Sequence, residues 1–167
     1  FQPASGQQTF SANHASPVRS LAISGDGKLL ASGGDDMLVK VWSDAGAPAA
    51  KPQLAGLPGP VASVAFSADG STIIAAGSAP AAADKPAGPQ VVVFGVATGT
   101  ADQYYSEHAG PVLAVAALPD GEKGTQVVSV SADKNVRLWS VAALTQLAGH
   151  TGPITALAYS PSDKSLI

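Results

Sequence analysis

The 167-residue sequence contains no cysteine. That absence removes disulfide frameworks, thiolate zinc sites and cysteine nucleophiles together, and it suits a reducing or an oxidising compartment equally. Charge is also scarce: 13% of residues are charged and the formal net charge is −3, so there is no basic footprint for gripping a phosphate backbone. Nucleic acid is therefore not an expected partner. No apolar run approaches the roughly eighteen residues needed to span a bilayer, so no membrane insertion is expected. The opening Phe1-Gln2-Pro3-Ala4-Ser5-Gly6 has neither a basic nor an apolar leader segment. Aromatic residues make up only 5%, yet hydrophobic residues reach 46%, enough for the core of one ordinary soluble domain and too many for a disordered segment.

What is present is a repeat. The frame that begins at His14 (His-Ala-Ser-Pro-Val-Arg-Ser-Leu-Ala-Ile-Ser-Gly-Asp-Gly) returns from Leu57, His108 and His150, at offsets of 43, 51 and 42 residues. Counting each frame's first residue as zero, every copy has a proline at +3 (Pro17, Pro60, Pro111, Pro153). A β-branched residue follows at +4 (Val18, Val61, Val112, Ile154). Asp26-Gly27, Asp69-Gly70 and Asp120-Gly121 are predicted to be hairpin turns, because Asp-Gly pairs tolerate the positive φ of tight turns. In the first strand of a copy the large apolar residues stand at +4, +7 and +9, as in Val18, Leu21 and Ile23. Positions +6 and +8 hold small residues, such as Ser20 and Ala22 or Ser63 and Ala65. That pattern predicts an inner strand covered on both faces, with small side chains where the edge is crowded. Second strands are predicted at 29–33, 72–77 and 126–130, and third strands at 38–42, 90–94 and 135–139. Weaker fourth strands are predicted near 9–10, 53–54, 103–105 and 145–147. Four strands per period of about 40–45 residues is the arithmetic of a propeller blade.

With these residues in view, the chain resembles the WD40 β-propeller family along almost its whole length. Gly149-His150 matches the family's Gly-His pair, while Asn13 and Glu107 precede His14 and His108. Trp42 and Trp139 close third strands, followed by Ser43 and Ser140 where Asp is usual, and Phe94-Gly95 takes that place in repeat two. The resemblance implies an all-β fold of about three complete four-stranded blades with partial blades at both ends. Repeats then run from about 14–56, 57–107, 108–149 and 150–167, the last truncated, after an outer strand and lead-in over 1–13. A seven-bladed ring needs roughly 300 residues. The chain is thus expected to be part of a longer protein, its missing blades supplied by that protein or by other copies of this chain.

The resemblance also implies a buried tetrad of opening His, Ser or Thr, turn Asp and Trp. Repeat one carries it at His14, Ser32, Asp36 and Trp42, and repeat three at His108, Ser129, Asp133 and Trp139. His150 opens a fourth set. Repeat two has Leu57, Ala75 and Phe94 at three of these positions and no matching Asp, and loss of the whole set together is what a mutually satisfied polar network requires. Positions through which family members often hold partners carry over as Pro17, Arg19 and Asp35; Pro60 and Ala62; Pro111, Leu113 and Ala132; and Pro153 and Thr155. Only Arg19 and Asp35 among them are charged, which implies a modestly apolar contact.

Ser, His and Asp also build hydrolase triads, but no Gly-x-Ser-x-Gly elbow is present and the trio occurs twice in a repeat, which suits structure. One His per blade is too sparse for shared metal coordination, and Gly25-Asp26-Gly27-Lys28 lacks the rest of a phosphate loop. No cofactor and no catalytic residue is expected. Residues 78–90 add about nine residues relative to repeat one and read as an exposed loop, either a neutral spacer or a binding element. Residues 122–124 are an insertion in a first hairpin turn, and 44–52 read as a solvated connection. The expected function is a non-catalytic scaffold that holds other proteins in a complex. The alternative is a propeller appended to a catalytic or electron-transfer domain outside this segment.

Overall fold

A computed structural model describes residues 11, 13–44, 47–77, 91–121, 124–141, 159–160 and 165–166. The predictions at 9–10, 78–90 and 145–147, together with Glu122, Lys123, His150, Pro153, Ile154 and Thr155, lie outside the described residues.

The described residues form strands and no helix. The first four-stranded antiparallel sheet runs β1 (Val18–Ile23), β2 (Leu29–Gly34), β3 (Val39–Ser43), β4 (Pro48–Leu54) in that spatial order. The second repeats it with β5 (Val61–Phe66), β6 (Thr72–Gly77), β7 (Val91–Gly95) and β8 (Ala101–Tyr105). A third sheet has β9 (Val112–Gly121), β10 (Gly124–Ser131) and β11 (Val136–Ser140), with β10 central. β12 (Tyr159–Ser160) and β13 (Ser165–Leu166) form a short antiparallel pair. Each sheet is a meander of neighbouring strands, the local connectivity that short turns permit.

Period-two alternation decides how the sheets stack. In the second sheet Val64, Phe66, Ile73, Ala75, Val92 and Phe94 join Ala31, Val39, Val41 and Leu54 of the first sheet in one core. The alternate residues Ile74, Ala76, Val91 and Val93 join Val112 and Val127 of the third sheet in a second core. β6 and β7 are thus buried on both faces, which is why they read as unbroken apolar runs.

Three sequence expectations need correction. Residues 48–54 form strand β4 where a solvated connection over 44–52 was expected. β4 is an edge strand, the place in a sheet where prolines such as Pro48 and Pro52 are tolerated, because the missing N–H has no ladder partner on the outer side. Asp120-Gly121 lies inside β9 instead of turning, and the ladder continues to a Gly124–Gly121 pair. The two pairs that do turn share a serine two residues ahead of the aspartate. Ser24 Oγ donates to Asp26 (2.7 Å) and accepts from Leu29 N (2.9 Å). Ser67 does the same with Asp69 (2.6 Å) and Thr72 N (3.0 Å). Gly27 and Gly70 take the positive φ of these turns, 74° and 70°. Leu118 occupies the serine position in repeat three, so that turn lacks its hydrogen-bond framework and the hairpin extends. Finally, β5 is covered on both faces as expected, but β1 and β9 are not: Leu21 and Ile23 are 63% and 67% exposed, and Leu113 and Leu118 are 57% and 37% exposed.

Candidate functional site

The polar sets sit where β2–β3 and β10–β11 turn back towards the loop that leads into each blade. In repeat one, His14 Nδ1 lies 2.9 Å from both carboxylate oxygens of Asp36, and Nε2 lies 2.6 Å from Ser32 Oγ. Ala15 N and Leu38 N also donate to Asp36, each at 3.3 Å. Repeat three has the same arrangement, with His108 Nδ1 2.8 Å from Asp133 and Nε2 2.8 Å from Ser129 Oγ. Ala109 N and Asn135 N donate to Asp133 at 3.0 and 2.9 Å.

Donor counting fixes the direction of the chain. Trp139 Nε1–H donates to Ser129 Oγ at 2.7 Å. The hydroxyl hydrogen is then free to donate to His108 Nε2, and Nδ1–H donates to the carboxylate, which accepts only. Trp42 meets His14 edge-on, with ring centroids 5.9 Å apart, but makes no hydrogen bond to Ser32. Trp139 has the same edge contact with His108 at 6.1 Å. Tyr105 lies against Trp139, centroids 4.7 Å apart, and its hydroxyl donates to Ser140 O at 3.0 Å. Burial pushes the Tyr105 hydroxyl pKa up.

For both aspartates burial pushes the pKa upward. The hydrogen bonds from the histidine and the backbone N–H groups outweigh it and hold Asp36 and Asp133 below the ordinary aspartate range. Chemically the sets are closed. Ser32 and Ser129 are 2% and 0% exposed, so neither hydroxyl is open to a substrate. Among the described residues no group of three or more His, Asp or Glu could hold a metal ion.

The turns that carry Asp36 and Asp133 also dock the lead-in loops. Asp35 N donates to Pro17 O at 3.0 Å and Ala132 N to Pro111 O at 2.9 Å. Each turn places its next residue, Met37 or Lys134, at positive φ (62° and 70°), a hairpin geometry that glycine usually supplies. On the rim so formed Pro17, Arg19, Pro60, Pro111, Leu113 and Ala132 are exposed, while Asp35 and Ala62 are partly buried. Arg19 grips Asp35 through two hydrogen bonds, one of them from Nη2 at 2.9 Å, so the two charges of the rim are paired with each other.

Two sets of residues were not singled out from the sequence. Ser24 and Ser67 are the turn serines above, and their signal was a Ser-x-Asp-Gly pattern present in repeats one and two but absent from repeat three. Ser20 and Ser63 do more than fit a crowded edge, because each accepts a backbone N–H from the next sheet: Val64 N donates to Ser20 Oγ at 3.1 Å, and Val115 N to Ser63 Oγ at 3.2 Å.

The profile of the family described as "WD domain, G-beta repeat" matches residues 6–43, 96–140 and 142–167, leaving out most of repeat two, which has no tetrad. No curated protein matches the chain significantly. Among solved structures, "Structure of U3-55K" superposes with a TM-score of 0.69 at 21% identity, covering 100% of this chain and 43% of that one. "Crystal structure of RRP9 WD40 repeats" superposes with a TM-score of 0.64 at 22% identity, covering 94% of this chain and 38% of that one. The chain therefore spans about two fifths of each of these two structures. At such identities the likeness speaks for the fold alone.

Proposed function

The chain belongs to the WD40 repeat family, and from that premise we propose that it is a non-catalytic propeller scaffold that holds other proteins on its lead-in rim. The observation that supports this reading is the division of labour among its polar residues. Among the described residues both histidines, with Ser32, Ser129, Asp36 and Asp133, are consumed in the two buried sets. The rim, built from Pro17, Arg19, Pro60, Pro111, Leu113 and Ala132, is left to contact solvent. Its two charges cancel in the Arg19–Asp35 pair, so recognition rests on shape and modest apolar burial more than on long-range steering.

The test replaces Leu113 by Asp and Ala132 by Arg and compares co-purifying proteins with those of the unaltered protein. A control pair, Lys28→Glu and Ala68→Arg, alters exposed positions of the β1–β2 and β5–β6 turns, at the opposite ends of these strands from the lead-in loops. Loss of partners in the first variant with an unchanged melt supports the reading. Loss only in the control moves the contact to the opposite rim and sinks it.

A further inference from the structure

Consecutive inner strands β1, β5 and β9 belong to different sheets, so no backbone ladder joins them. What lies between is mostly apolar contact, which is non-directional and does not by itself fix how far one strand slides along the next. A hydroxyl-to-amide bond does fix it, because it is directional. Two such bonds occur at equivalent places. Val64 N donates to Ser20 Oγ at 3.1 Å across the first joint, and Val115 N donates to Ser63 Oγ at 3.2 Å across the second. Both serines follow an irregularity in the β-ladder, Val18/Ser20 and Val61/Ser63, which frees the local strand from strict register. The sheets approach closely at the first of these levels: a side chain on Gly33, the ladder partner of Ser20, would meet Val61 Cγ1 of the next sheet at 2.3 Å.

We propose that Ser20 and Ser63 are positioning residues, pins that set the axial register between successive blades. The residues they hold in place are their immediate neighbours on the rim, Arg19 and Ala62, relative to the next rim residues, Ala62 and Leu113. The functional part of the inference rests on the reading of that rim as a partner surface. Pinned spacing would present the rim preorganised, so that less ordering is needed when a partner binds.

The experiment uses the absence of native cysteine, which makes introduced thiols the only labelling sites. Spin labels at Arg19→Cys with Ala62→Cys span the first joint, and labels at Ala62→Cys with Leu113→Cys span the second. Inter-label distance distributions are measured beside amide exchange at Val64 and Val115. Ser20→Ala is expected to speed exchange at Val64 by roughly two- to tenfold, the worth of one hydrogen bond, and to broaden only the first distance. Ser63→Ala should act on Val115 and the second distance alone. Serine-to-threonine variants, which keep the hydroxyl, should restore both. The third sheet carries Ala114 at this position, so alanine is compatible with an inner strand.

Unchanged exchange and distances would overturn the proposal. So would equal broadening of both joints in each variant, or faster exchange with unaltered distances. No partner enters these measurements, so the pins can fail while the scaffold reading stands, and the reverse.

Discussion

Ser129 shows how much one side chain carries in this chain. Its hydroxyl accepts from Trp139 and contacts His108, which in turn holds Asp133, all in a site almost closed to water. Removing the imidazole leaves Ser129 without its acceptor and Asp133 without its side-chain donor, and an unsatisfied buried group costs about 1–3 kcal/mol. His108→Ala is therefore expected to lower stability by that amount in urea melts; a neutral result would show that the set does not act as a network. The aspartates add a pH dependence of definite sign. Their pKa values are depressed in the folded state, so their contribution is fully present above the ordinary aspartate value of 3.8 and is lost as pH falls below it. Melting temperature should thus drop steeply below about pH 4, and Asp133→Asn should flatten that fall. The spacing of His, Ser and Asp was legible because a turn fixes it in sequence. Ser24 and Ser67 carry a legible signal in their Ser-x-Asp-Gly pattern, but Ser20 and Ser63 do not, since a serine that bonds across sheets and a serine that merely fits look alike without the partner's coordinates.

The second sheet shows what an element does when its polar set is gone. Leu57, Ala75 and Phe94 stand where His14, Ser32 and Trp42 stand in the first, and all three are buried in the shared core. Leu57→Ala is expected to cost about 2–5 kcal/mol as a core truncation, with no change in acid sensitivity. Denaturant melts at neutral and acid pH separate this from His108→Ala, and a cost under about 0.5 kcal/mol, the scale of surface substitutions, would mean that the lead-in loop does not pack on the sheet. Strands β6 and β7 were legible to within a residue because double burial leaves unbroken apolar runs. β4 was not, because Pro48 and Pro52 signal loops everywhere except on an edge. The β9–β10 hairpin was misread for a similar reason: Asp-Gly permits a turn, but the serine two residues earlier supplies its hydrogen bonds, and Leu118 cannot.

At the scale of the whole molecule, among the described residues, the same alternation that seals the middle sheet leaves the outer two half-covered. The first sheet buries Ala31, Val39 and Val41 against its neighbour and turns Leu21 and Ile23 outward. The third buries Val127 and packs the partly buried Val115 and Ala117 inward, and turns Leu118, Val136 and Leu138 outward, Val136 being 70% exposed. These outward faces carry the same residue types that the two cores bury between sheets, so each is built to receive another sheet. An apolar face left exposed among the described residues recruits other chains. Residues 1–167 on their own are therefore expected to self-associate in a concentration-dependent manner, measured by size-exclusion chromatography with light scattering. Replacing Leu21 by Gln, Ile23 by Thr, Val136 by Thr and Leu138 by Gln should shift the distribution towards monomer. Leu113→Asp, on the rim, should not. A concentration-independent monomer with a cooperative melt would mean that these faces are already satisfied within the chain, and that sheet-on-sheet burial is not what they are for.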